Sequence, residues 1–140
     1  TAGSTREENE DLARKILRYL DREPTADHLS VSSDAYGSQP RFGKNMEYLG
    51  LDYATGTGLN DLLRTLLAMG VPPQLALKPL TSTPARVLGL RRKGSLAPGM
   101  DADFVVYDEG WQIEGVVAGG QVAMWDKKVF LRDPFSKATV

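Results

Sequence analysis

The apolar residues of this chain change their spacing once, just after Gly94. Before that point they recur every three or four residues, as on the buried face of a helix. After it they come in short runs separated by turn residues, as in strands. Strand-and-helix material therefore comes first and a small antiparallel sheet second. We place the boundary near residue 91, with residues 1–90 on one side and residues 91–140 on the other.

In the first part, residues 5–22 read as an amphipathic helix. Thr5 is its cap and Glu8, three residues on, completes a capping box. Leu12, Ile16, Leu17 and Leu20 fall on one face. Glu10 with Arg14 and Asp11 with Lys15 stand four apart on the other, and Pro24 stops the helix. Residues 59–69 are a second helix, with Leu59, Leu62, Leu63, Leu66 and Leu67 in a stripe that is core and not a cofactor site. Gly70 closes it and Pro72-Pro73 prevents continuation. A short helix over residues 73–78 follows, then one in which Thr83 is the expected cap, Pro84 the first helical residue and Gly89 the end.

In the second part, residues 103–108, 113–118, 121–125 and 128–131 read as four short strands. Gly119-Gly120 and Asp126-Lys127 supply hairpin turns. Four strands make little core alone, so this sheet is expected to need a partner.

Between the first two helices lies the stretch of chemical interest. Residues 29–32 have strand character, with apolar Leu29 and Val31 between small serines, and the run ends on Asp34. Residues 35–57 then read as a long loop holding Gly37, Gly43, Gly50, Gly56 and four aromatics. A loop of that length in a compact domain is usually functional or disordered. The aromatics favour an active-site loop. An acid at the carboxyl end of a barrel strand points into the face where barrel active sites are built. There it can ligate a metal and accept a proton. The alternative is a loop-capping Asp34 whose side chain makes an Asx turn onto the Tyr36 amide.

Composition narrows the rest. Seventeen basic and eighteen acidic residues give a net charge of -1, so no nucleic-acid footprint is expected. The basic run Arg91-Arg92-Lys93 reads as a solvated loop. The absence of cysteine excludes disulfides and thiolate metal sites. No apolar stretch approaches the length of a membrane helix, and a cytoplasmic location is expected. The chain lacks an initiator Met, so a processed, truncated or excised piece is expected. His28, the single histidine, reads as structural or solvated, since a hydrolytic zinc site takes three protein ligands. Ser32, Ser33 and Ser38 lack a nearby His base. Residue by residue there is one good catalytic position, Asp34, and no complete catalytic set.

Two segments resemble a known family. Residues 83–90, Thr-Pro-Ala-Arg-Val-Leu-Gly-Leu, and residues 93–106, which carry Gly94-Ser-Leu-Ala-Pro98-Gly99-Met-Asp101-Ala102-Asp103, are similar to the C-terminal signature of the amidohydrolase superfamily. There the chain leaves a (β/α)8 barrel and enters a small β domain. Ser32-Ser33-Asp34-Ala35-Tyr36-Gly37-Ser38-Gln39-Pro40 resembles the strand-8 motif of the isoaspartyl dipeptidases. Leu77-Lys78-Pro79-Leu80-Thr81-Ser82 and the start, Thr1-Ala2-Gly3, resemble the same family.

The resemblance implies an α/β fold: the C-terminal part of a metallo-hydrolase barrel (helix 7, strand 8, helix 8), then a small β-sandwich-type segment. It implies hydrolysis of β-aspartyl dipeptides by hydroxide held between two divalent metals, usually zinc. Asp34 would ligate one metal and shuttle the proton. Ser38 would contact a substrate carboxylate, and Gly37 would let the loop approach closely. Tyr36 departs from the family pattern and bears on fine specificity. The remaining ligands would lie upstream of residue 1. The implied partners are a small dipeptide, the rest of the barrel and further copies in a homo-oligomer, with the isolated chain inactive. The alternatives are another amidohydrolase, such as an N-acyl amino acid deacylase or a dihydropyrimidinase-like enzyme, or a non-catalytic remnant serving assembly.

Overall fold

In a computed structural model of the chain, residues 5–54 and 56–131 are described. They fall into two units that part between Leu88 and Gly89.

The first unit opens with α1 (Arg6–Leu20). The Thr5 hydroxyl accepts from the Glu8 amide at 3.2 Å, and the Glu8 carboxylate accepts from the Thr5 amide at 3.0 Å, so the capping box forms as expected. The buried row is Asn9, Ala13, Ile16 and Leu20, with Leu12 and Leu17 half-buried beside it. On the outer face Glu10 pairs with Arg14 at 3.4 Å and Asp11 with Lys15 at 2.6 Å. Helix α2 (Gly58–Ala68) packs against α1 and buries Leu62, Leu63 and Leu66. It ends in a Schellman motif. Gly70 turns left-handed at φ 84°, its amide donates to Leu67 O, and the Val71 amide donates to Leu66 O. Val71 is buried too, which is the apolar contact that accompanies this cap.

Helix α3 (Pro73–Leu77), a single 3₁₀ turn (Lys78–Leu80) and α4 (Ser82–Val87) complete the unit. Thr83 is not the cap of α4. It lies inside the helix, 2% exposed, and its hydroxyl donates to Ala26 O at 3.0 Å. The tertiary bond wins over capping because Ala26, itself fully buried and left-handed at φ 54°, has a carbonyl that otherwise takes only the Leu29 amide, at 3.4 Å.

The expected loop over residues 35–57 is instead mostly a β-hairpin. Strand β1 (Ser38–Phe42) pairs antiparallel with β2 (Tyr48–Tyr53), Ser38 opposite Tyr53 and Arg41 opposite Gly50. Gly43 and Glu47 close the turn, with the Gly43 amide on Glu47 O at 2.9 Å and Met46 left-handed. Both faces of the ribbon are largely exposed, so the in-and-out alternation that marks a half-buried strand is missing, and Pro40 argues against a strand. Residues 29–32, expected as a strand, pair with no strand among the described residues. A parallel strand exists by virtue of its neighbours, and none is present here.

The second unit is a four-stranded antiparallel meander in the order β3 (Phe104–Tyr107), β4 (Ile113–Ala118), β5 (Gln121–Trp125), β6 (Lys128–Val129). The described residues make one sheet and no second layer. Gly119-Gly120 and Asp126-Lys127 turn with both central residues left-handed, the primed geometry that matches strand twist. Gly115 has no side chain because the Trp125 ring covers it; a Cβ there would stand 2.5 Å from the ring.

The segment that resembles the superfamily signature leads into this sheet, and several of its residues have structural tasks. Pro98-Gly99 forms a type II turn, the Met100 amide on Ala97 O at 3.1 Å and Gly99 at φ 85°. Asp101 takes Arg92 at 2.5 Å and Lys93 at 3.1 Å. Asp103 accepts from the Gly119 amide at 2.5 Å and pairs with Lys93. These contacts hold the carboxyl of Asp103 below its ordinary value, the Gly119 hydrogen bond first and Lys93 second. The same pairing, Asp103 before Asp101, holds the Lys93 ammonium above its ordinary value. Among the described residues no helix is long and apolar enough to cross a membrane.

Candidate active site around Asp34

Asp34 hangs between two anchored segments. Upstream, the chain from Ala26 to Val31 is fastened to the 3₁₀ turn and α4. Thr83 reaches Ala26 O, Lys78 pairs with Asp27 at 2.6 Å, Arg86 donates to Asp27 O, and the Val31 amide donates to Pro79 O at 3.1 Å. Lys78 lowers the carboxyl of Asp27 below its ordinary value, with Thr25 assisting.

Downstream, the hairpin takes over. The Tyr36 amide donates to Ala54 O at 2.9 Å, and the Ala54 amide donates to Gly37 O at 3.1 Å. Ala54 is buried, so the loop after Asp34 is laddered onto the base of β2. The Tyr36 amide is thereby taken, and the Asx turn from Asp34 does not form. The Ser33 hydroxyl instead accepts from the Ala35 amide at 3.2 Å.

Asp34 and Tyr36 are both left-handed, at φ 50° and 63°, a conformation uncommon outside glycine and suited to a tightly held loop. Asp34 is exposed, and its carboxylate makes no hydrogen bond or ion pair among the described residues. Gly37 fits closely beneath it: a Cβ on Gly37 would stand 2.8 Å from Asp34 Oδ1 and 2.9 Å from Asp34 O. Ser38, the first residue of β1, is exposed, as is His28. Asp34, Gly37 and Ser38 are thus within one turn-and-strand segment. Tyr36 is legible in the sequence as a loop aromatic and a departure from the family pattern, whereas the hold that its backbone and Ala54 keep on the segment is not. The one usable signal was an aromatic two positions from the acid.

No three His, Cys, Asp or Glu side chains come together among the described residues. Asp34 fits a metal as a single free carboxylate ligand and no more. Among the described residues a cleft of about 480 Å³ lies between α1 and α2, is lined by Asn9, Glu10, Asp61 and Arg64 among others, and contains none of the expected site residues. The resembling start, residues 1–3, lies outside the described residues.

A match to the amidohydrolase family covers residues 28–133, most of the chain. The chain belongs to that family.

Among solved structures it is similar to a β-aspartyl dipeptidase from Fervidobacterium islandicum AW-1, in complex with a β-Asp-Leu dipeptide. The two share 31% identity and a TM-score of 0.75 over 84% of this chain and 31% of that one. A second structure of a β-aspartyl dipeptidase from that bacterium matches at 26% identity and a TM-score of 0.67. Among curated proteins it is similar to the adenine deaminase of Cereibacter sphaeroides ATCC 17025, 33% identical over 85% of this chain and 22% of that protein. It is also 42% identical to the adenine deaminase of Brucella abortus strain 2308, over 51% of this chain and 13% of that protein. The chain therefore spans less than a third of the length of each relative. The family-level expectation stands. The dipeptidase has structural support, and the curated relatives carry another amidohydrolase name.

Proposed function

We propose that this amidohydrolase chain is the C-terminal part of a metal-dependent β-aspartyl dipeptidase, and that Asp34 is its metal ligand and proton carrier. The observation that carries the reading is the exposed carboxylate of Asp34, without a partner among the described residues, on a segment pinned at both ends, in a chain whose fold follows a β-aspartyl dipeptidase over 84% of its length. In this reading α1, residues 29–34 and helices α2 to α4 are helix 7, strand 8 and helix 8 of a (β/α)8 barrel. The rest of the barrel completes both the strand's ladder and the metal site.

Divalent metal, zinc by preference and two ions by family resemblance, supplies when bound a water of lowered pKa as nucleophile. Asp34 does the proton work. As water adds to the side-chain carbonyl carbon of the aspartyl residue, a carboxylate oxygen of Asp34 takes the proton. As the carbon–nitrogen bond breaks, Asp34 returns it to the leaving amine nitrogen, giving aspartate and a free amino acid. Ser38, at the mouth of β1, donates its hydroxyl hydrogen to a substrate carboxylate. Gly37 keeps the space beneath the acid clear.

A second reading is adenine deamination, favoured by the names of the curated relatives. It uses the same family chemistry with a purine carbon as electrophile. Incubating the complete enzyme with β-Asp-Leu and, separately, with adenine decides between them. Release of leucine without ammonia from adenine supports the dipeptidase; the reverse supports the deaminase.

A further inference from the structure

As a nucleophile Ser33 has no base, yet its hydroxyl has a task. It accepts from the Ala35 amide at 3.2 Å, a bond that closes a turn around Asp34. Among the described residues the Ala35 amide has no other partner. Inside that turn Asp34 is left-handed at φ 50°, a conformation that a residue other than glycine keeps where its surroundings hold it. On the downstream side the Gly37 amide donates to Asp34 O at 2.9 Å, and Tyr36 and Gly37 are laddered onto buried Ala54. Those bonds all run between backbone atoms. On the upstream side the hold comes from a side chain, that of Ser33. The Tyr36 amide, which an Asx turn from Asp34 would need, is taken by Ala54 O. The Ser33 hydroxyl therefore closes the turn that an aspartate at such a place often closes for itself, and the carboxylate of Asp34 is spared for chemistry.

We infer that Ser33 is a positioning residue for Asp34: by closing the turn onto the Ala35 amide, its hydroxyl fixes the backbone from which the reacting carboxylate projects. The inference rests on the reading of Asp34 as the proton carrier of a β-aspartyl dipeptidase. The backbone angles of Asp34 set the direction of its Cα–Cβ bond, so a turn that relaxes swings the carboxylate with it. Proton transfer needs the carboxylate within hydrogen-bond reach of the water and of the leaving nitrogen, and a displacement on the ångström scale is costly in rate. Ser33 touches no reacting atom in this account, so binding of the dipeptide does not depend on it. Threonine offers the same hydroxyl on the same backbone, and alanine offers none.

The test measures kcat and KM for β-Asp-Leu on the complete enzyme and on its Ser33→Ala and Ser33→Thr variants, the fold of each verified by circular dichroism. Ser33→Ala is expected to lower kcat about tenfold, part of the loss that an ångström-sized misplacement brings. KM stays unchanged, so kcat/KM falls by the same factor. Ser33→Thr, which keeps the acceptor, stays close to wild type. Hydrogen exchange over residues 33–37, followed by mass spectrometry, is faster in Ser33→Ala and unchanged in Ser33→Thr. A Ser33→Ala enzyme that melts earlier but keeps the wild-type kcat and KM has lost stability alone and overturns the inference. A raised KM at unchanged kcat overturns it too, since Ser33 would then act on binding, and so does a Ser33→Thr enzyme that falls as far as Ser33→Ala. Each of these outcomes leaves the dipeptidase reading intact. Failure of the wild-type enzyme to cleave β-Asp-Leu overturns the dipeptidase reading and this inference with it.

Discussion

Gly37 is glycine because Asp34 fills the space its side chain would need. A Cβ there would meet Asp34 Oδ1 at 2.8 Å, and the Gly37 amide donates to Asp34 O at 2.9 Å. Gly37→Ala therefore shifts both the carboxylate and the backbone carbonyl of Asp34, which a Cβ would meet at 2.8 and 2.9 Å. The expected result is a fall in kcat of roughly a hundredfold, the scale of an ångström-sized misplacement at a reacting group, with a melting temperature close to wild type. Steady-state kinetics and thermal denaturation on the same preparation check it.

Thr83 ties α4 to the connection that leads to Asp34. Thr83→Val keeps the shape and leaves the Ala26 carbonyl with only the longer bond from the Leu29 amide, at 3.4 Å. The cost is about 0.5–1.5 kcal/mol, the net contribution of one intramolecular hydrogen bond. A lower denaturant midpoint with an unchanged slope is the signature.

Leu63 of α2 is 1% exposed. Leu63→Ala opens a cavity there and destabilises the first unit by about 2–5 kcal/mol. Chemical denaturation followed by far-ultraviolet circular dichroism measures it.

The second unit has a pH dependence whose sign follows from Asp103 and Lys93. The carboxyl of Asp103 is held below its ordinary value of 3.8 by the Gly119 amide and Lys93. Its contribution is complete above that value and is lost as pH falls through the lowered one. Lys93, raised above 10.5, contributes below that value and loses its contribution as pH rises through the raised one. Melting curves of wild type and Asp103→Asn therefore differ at neutral pH and converge as the pH is taken below 3.8. Parallel curves across that range would remove Asp103 from the account.

Much of this was legible in the sequence where an element carries its own signals. Helix α1 has its capping box and its leucines, α2 its stripe and Gly70, and the meander its two-residue turns. What failed depends on partners. Residues 29–32 become a strand only between neighbours, and none is among the described residues. The hairpin from Ser38 to Tyr53 is exposed on both faces, with Tyr48, Leu49, Leu51 and Tyr53 breaking any alternation, so no burial pattern announces it. Thr83 carries a capping residue's chemistry but spends it on Ala26, far away in sequence. At the site, Asp34 stood out from its place at the end of a strand-like run and from its motif. Its fixing through Ala54 did not, because Ala54 acts through backbone atoms that every residue possesses.

The central claim is that Asp34 carries the proton in β-aspartyl peptide hydrolysis. The direct measurement is kcat for β-Asp-Leu with the complete enzyme and its Asp34→Asn variant, the fold of each verified by circular dichroism. The account predicts a loss of roughly 10²–10⁴-fold, the range for removal of a general acid–base group. Turnover within a few-fold of wild type would contradict it.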